Sequence, residues 1–179
     1  MAANKQLPPK DAVALLKADH RKVEELFEKF QKAKGKKADI AHQICLELMV
    51  HATIEEEIFY PSCKGAIEDD MLDEAYVEHD GAKQLIAEIE AGEADDDFYD
   101  AKVKVLSEEI KHHVKEEEKR DGIFSQAKAS GLDLNNIGAR LLERKNELTA
   151  KFKTEGLPTP TTRTMKGVQL AKGAPVEAA

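Results

Sequence analysis

The sequence predicts an all-α protein: an up-down-up-down antiparallel four-helix bundle with an additional C-terminal helix and a flexible tail. Three observations predict it. Charged residues make up 35% of the chain and aromatics 5%, with no Trp, a balance that suits long amphipathic helices better than a β-sandwich. Apolar residues recur at alternating spacings of three and four in four successive blocks, the period of helices facing a common core. The breaks between blocks are short, which makes neighbouring helices antiparallel.

The first block, 11–34, follows Pro8 and Pro9 and stops at Gly35, the usual punctuation of a helix start and stop. The second, 38–60, ends against Pro61. The third, 70–91, stops at Gly92. Asp95, Asp96 and Asp97 then offer N-caps and favourable first-turn charge to the fourth, 97–120, which Asp121-Gly122 closes. These four helices form an expected domain over 11–125. A further helix is expected over 135–153, within an added segment 130–156. Residues 157–179 are rich in Thr, Pro and Gly, the composition of a flexible tail.

With 179 residues the chain has room for one domain with a real core. Its net charge of −8 repels a phosphate backbone, so nucleic acid is not an expected partner. No apolar run approaches the roughly 18 residues of a spanning helix, and the start MAANKQLPPK lacks the apolar stretch of a signal peptide. Cys45 and Cys63 form no C-x-x-C and read as ordinary thiols of a reducing compartment, with a disulfide between them left open. The expectation is a cytoplasmic protein with no membrane partner. Cys63, just after Pro61-Ser62, is expected in a loop as an exposed thiol.

The seams carry the functional signal. The first helix presents Val13, Leu16, His20, Val23, Phe27 and Phe30; the second Ile44, Leu48, His51, Glu55 and Ile58. The third presents Leu72, Tyr76, His79, Ala82, Ile86 and Ile89; the fourth Tyr99, Val103, Leu106, Ile110, His113 and Glu117. Each seam is interrupted by one histidine, and on the second and fourth a glutamate follows it one turn later. At ~1.5 Å rise per residue, antiparallel helices of these lengths bring the histidines near one level.

Burying two carboxylates in an apolar core costs several kcal/mol each unless a cation compensates them. No Lys or Arg on the seams does so convincingly, whereas a pair of metal ions would. Imidazole suits iron, zinc and copper, and a carboxylate can bridge two ions. Glu55 and Glu117 therefore read as bridges, with His20 and His51 on one metal and His79 and His113 on the other.

The plainer readings stand beside this. A lone histidine on an apolar face is more often a hydrogen-bonded core residue, but four with two matched glutamates favour metal. Glu56, Glu57, Glu116 and Glu118 read as a solvated acidic face. His42 faces away from the seam. His112 competes with its neighbour His113 for the ligand position, and its own stripe of Val105, Glu109 and Glu116 is mostly polar, so periodicity favours His113. Tyr76, one turn before His79, reads as core.

The ordered set of His20, His51-x-x-x-Glu55, His79 within Glu-His-Asp, and His113-x-x-x-Glu117 resembles the hemerythrin-like, or HHE cation-binding, family of bacterial type. The likeness covers about residues 11–125 and includes the Tyr60-Pro61 after the first acidic run. The resemblance implies two iron ions (Fe²⁺ or Fe³⁺) in a carboxylate-bridged centre, with an oxo or hydroxo bridge, that meets O₂, peroxide or nitric oxide. Oxygen-carrying members have a further histidine one turn from the third helix's ligand. Here the corresponding positions are Ala75 and Lys83, which argues against reversible oxygen carriage and leaves a coordination position open. The fourth helix ends in RDGIFS where the family has an aromatic-proline close.

Two functions follow from the resemblance: binding or sensing of a small ligand, and an enzyme that oxidises ferrous iron or decomposes peroxide. A structural zinc bundle also satisfies the ligand set. A ferritin-like site, which needs Glu-x-x-His twice, finds only Glu109 with His112, on a polar stripe.

Overall fold

Asp11 opens the first helix, α1 (Ala12–Lys32), by accepting a hydrogen bond from the Ala14 N–H at 2.8 Å, satisfying one of the donors that every helix start leaves unpaired. The structure, a computed structural model, describes residues 11–165. They are helical throughout their regular parts, with no strand among the described residues. No described helix is long and apolar enough to cross a membrane.

The second element does not stop at Pro61. After α2 (Lys37–Ile54), residues Glu55–Phe59 form a π-helical turn, closed by the Tyr60 N–H on the Glu55 carbonyl, and the chain continues through α3 (Tyr60–Cys63). A proline in a regular helix clashes with the carbonyl four residues back. The widened turn directly before Pro61 relieves that clash, and it rotates the register so that Phe59, Tyr60 and Cys63 become buried. Cys63 is therefore a buried free thiol and not an exposed one.

Helix α4 (Asp69–Glu90) and helix α5 (Tyr99–Glu118) follow the expected blocks closely. The aspartate cluster does not cap α5; Phe98, at φ 68°, takes that position, while the Asp96 carboxylate accepts from the Glu93 N–H within the turn. Two elements come after. Helix α6 (Ile123–Ala129) was not predicted, being too short for a periodicity to register. Helix α7 (Leu134–Glu155) is capped by Asp133, which accepts from the Asn136 N–H at 3.0 Å.

Helix α1 packs on α2 and α5, α4 packs on α5 and α2, and α7 lies against α1, α2 and the π turn. The core follows the seams from Val13, Leu16 and Phe27 through Ile44, Ile86 and Leu106. Residues 157–165 carry no regular structure, and 163–165 lie against α4, where the buried Asp80 accepts from the N–H groups of Arg163, Thr164 and Met165. The rest of the expected tail, 166–179, lies outside the described residues.

Gly122 turns the chain from α5 into α6. A Cβ there would fall 2.7 Å from the Glu117 carbonyl oxygen and closer still to that of Glu116. Gly122→Ala is expected to destabilise the protein by about 1–3 kcal/mol. Urea unfolding measures this directly, and an unchanged midpoint would contradict the close approach.

Candidate metal centre

The four seam histidines and two seam glutamates meet in one buried cluster. Two overlapping donor sets form it: His20, His51, Glu55 and Glu117, and Glu55, His79 and His113. His20 and His51 face each other through Nε2 at 3.2 Å, and so do His79 and His113. Glu55 Oε2 lies 3.2 Å from His51 Nε2 and 3.4 Å from His79 Nε2. Glu117 Oε2 lies 3.3 Å from His20 Nε2 and 3.6 Å from His113 Nε2. Each glutamate therefore touches both histidine pairs. Separations near 3 Å are those of neighbouring donors set about 2.1 Å from one ion.

The donor chemistry fits a metal in a second respect. Glu55 Oε1 and Glu117 Oε2 accept no hydrogen bond although both residues are buried. Orphaned buried carboxylate oxygens are rare in folded proteins and need a counterpart; cations at the shared faces would supply it.

An outer layer orients the rings. Nδ1 of His20 meets Glu118 at 2.8 Å, that of His79 meets Glu56 at 3.0 Å, and that of His113 meets Glu78 at 2.7 Å. His51 Nδ1 has only Asp19, at 3.6 Å. A carboxylate on Nδ1 fixes the tautomer that presents Nε2 inward and raises the basicity of the ligand. Each carboxylate is itself paired with a base: Glu118 with Arg21, Asp19 with Lys145, Glu56 with Lys83, and Glu78 with His112.

Burial alone would lower the pKa of His51, but the charges of Glu55 and Asp19 outweigh it and raise the ring to about 10. Burial likewise opposes protonation of His79, and Glu55 and Glu56 prevail to raise it to about 9. Both values lie above the ordinary 6.5. In metal-free protein the protonated rings thus contribute stability that is complete below pH 6.5 and lost as pH rises through 9 to 10. Thermal melts in chelator should show a falling midpoint across that window; a flat profile would contradict the ring–carboxylate pairing. Metals need the neutral rings, so uptake releases protons.

One inward residue escaped the sequence reading. Tyr60 is fully buried, and its hydroxyl donates to Glu117 Oε1 at 2.9 Å and lies 3.2 Å from Glu55 Oε2 and 3.4 Å from His79 Nε2. Burial and then the charges of Glu117 and Glu55 hold this phenol well above its ordinary range. The π turn placed it there, and a 3.6-residue period has no means of finding it. Glu56 and Glu118 also leave the solvated face assigned to them, while Glu57 and Glu116 pair with Arg144 and Lys119. His112 is mostly exposed, and His42 pairs with Glu90 at the surface. Tyr76 packs edge-on against Tyr60 at 5.3 Å, outside the cluster.

Two small cavities adjoin the donors. One of about 20 Å³ lies among the four histidines and the aliphatic side chains of Val23, Leu48, Ile86, Ile110 and Val114. The other, about 80 Å³, runs past Ala75 and Glu78 to His113 and Glu117. Phe124 of α6 closes the His20 side, stacked on that ring at 5.6 Å.

The family model described as the hemerythrin HHE cation binding domain matches residues 11–121. A curated relative described as a DNA nickase, from Nostoc sp., is 29% identical over 106 residues, covering 58% of this chain and 30% of that protein. The chain thus spans under a third of that relative's length. The crystal structure of a hemerythrin HHE cation binding domain-containing protein from Mycobacterium kansasii superposes with a TM-score of 0.70 at 21% identity, over 82% of this chain and 94% of that one. At that identity the likeness shows a common fold.

Proposed function

Because the chain belongs to the hemerythrin HHE cation-binding domain family, we propose that its six inward side chains hold two iron ions that meet a small ligand, O₂, peroxide or nitric oxide. The observation that carries this is the pair of overlapping donor sets joined through Glu55. On this reading His20 and His51 would hold one ion and His79 and His113 the other, with Glu55 and Glu117 available to both. The helix order is taken as up-down-up-down for α1, α2, α4 and α5, supported by their ring of packing contacts and the one histidine each brings to a common level. Residues 11–125 then form the metal-binding domain and 130–156 the added helix. The free, buried thiols of Cys45 and Cys63 suit the reducing cytoplasm to which we assign the protein.

Bound there, two iron ions would allow electron exchange with a small ligand. The chain supplies the surroundings. Aliphatic side chains line much of the cavity among the histidines, which has room for about one water-sized molecule. Ala75, where an oxygen carrier could place its further histidine, leaves the channel to His113 and Glu117 open. Tyr60 holds a proton between the two shared carboxylates.

Reduced, iron-loaded protein exposed to O₂ tests the function: bands that reverse under vacuum support binding, and their complete absence counts against it. The open position at Ala75 favours an enzyme as the second reading. It predicts many turnovers of Fe²⁺ or H₂O₂ per site, lost in His51→Ala. DNA nicking is described for the Nostoc relative, and the charge of −8 on this chain gives no support for extending it here.

A further inference from the structure

The family match ends at residue 121, yet the chain that follows reaches the outer face of the cluster by two routes. In the first, Lys145 of α7 pairs with Asp19, whose carboxylate sets its charge 3.6 Å from His51 Nδ1 without a hydrogen bond to it. In the second, the segment 163–165 wraps the buried Asp80 with three backbone N–H groups and the Thr164 hydroxyl. Asp80 lies 3.6 Å from the Lys83 ammonium, which holds both oxygens of Glu56 at 2.7 and 2.9 Å. Glu56 in turn accepts a hydrogen bond from His79 Nδ1 at 3.0 Å. His51 and His79 sit in different halves of the donor set. The added chain thus has one line of contact to each half.

We propose that Lys145 and Lys83 are positioning residues that set how readily each metal is oxidised, with α7 and residues 163–165 holding them in place. A carboxylate on Nδ1 draws the ring proton and makes the imidazole a stronger donor. A cation on that carboxylate restrains the pull. Both lysines are well placed for this because water screens little there: Asp19, Asp80 and Lys83 are all buried. Removing either cation leaves its carboxylate free to pull harder, enriches the ring and favours the oxidised metal. His20 and His113 have their outer partners from within the matched domain, through Arg21 with Glu118 and His112 with Glu78. The proposal rests on the di-iron reading for its redox consequence but not for the ring contacts themselves.

Three variants test it: Lys145→Met, Lys83→Met and Lys145→Arg. In metal-free, ¹⁵N-labelled protein, Lys145→Met should move the ring resonances of His51 and leave those of His79, and Lys83→Met should do the reverse. In iron-loaded protein each methionine variant should raise the oxidised-to-reduced ratio of one iron about tenfold at fixed solution potential, which is 59 mV for one electron. Lys145→Arg should restore both readouts. Ring resonances that stay in place in both methionine variants would overturn the proposal. So would an arginine variant that behaves like methionine, the sign of packing and not charge. A wild-type protein that takes up no iron would sink the di-iron reading, while the ring resonances would still decide the role of the lysines.

Discussion

Replacing Glu55 by alanine is expected to empty both metal positions, lowering bound iron from two ions per chain to near none. Glu55 is the residue common to the two donor sets, it has no exposed surface, and its Oε1 finds no partner in the protein. No nearby carboxylate can replace it, because Glu56 is committed to His79 and Lys83 and Glu57 to Arg144. Glu55→Gln keeps the shape and removes the charge, and should lose metal nearly as completely. Glu57→Ala, on the exposed side of the same turn, should retain both ions. Metal analysis of the three variants separates a bridging carboxylate from a packing residue. Full occupancy in Glu55→Ala would defeat that assignment.

Removing the metals should cost the protein more stability than any of the substitutions outside the centre. The metal-free cluster holds two buried carboxylates and four rings whose Nε2 atoms crowd to 3.2 Å within each pair. A ligand present at a thousandfold excess over its dissociation constant stabilises the folded state by about 4 kcal/mol. Two such ions, at roughly 2–4 °C per kcal/mol for a chain of this size, should raise the melting temperature by about 15–30 °C. Calorimetry with and without chelator reads this, and a shift within a few degrees would mean that the cluster is stable without cations.

The convergence of the six side chains was legible in the sequence because three-and-four spacing is a faithful guide wherever the helix is regular. His20, His79 and His113 interrupt otherwise apolar seams, and the same spacing set His112 outside. The guide failed where the helix did. Ile58 was expected on the core face, but the π turn carries Phe59 and Tyr60 inward instead, and with them a phenol at the centre and a buried Cys63. Glu56 and Glu118 were read as solvated because each stands one residue past a seam glutamate. That position lies at the edge of the stripe, where a neighbouring helix supplies His79 or His20 to meet it. Lys145 and Asp80 left no trace in any local pattern, since their partners lie 126 and 83–85 residues away. Packing of the added C-terminal chain alone brings them together.

Metal analysis of freshly purified protein, with Mössbauer spectra of the iron, decides whether the cluster is a di-iron centre. Two irons per chain are expected, spectroscopically coupled through their shared carboxylates, with both lost in His51→Ala. Fewer than about one metal per chain, or zinc alone, would contradict it.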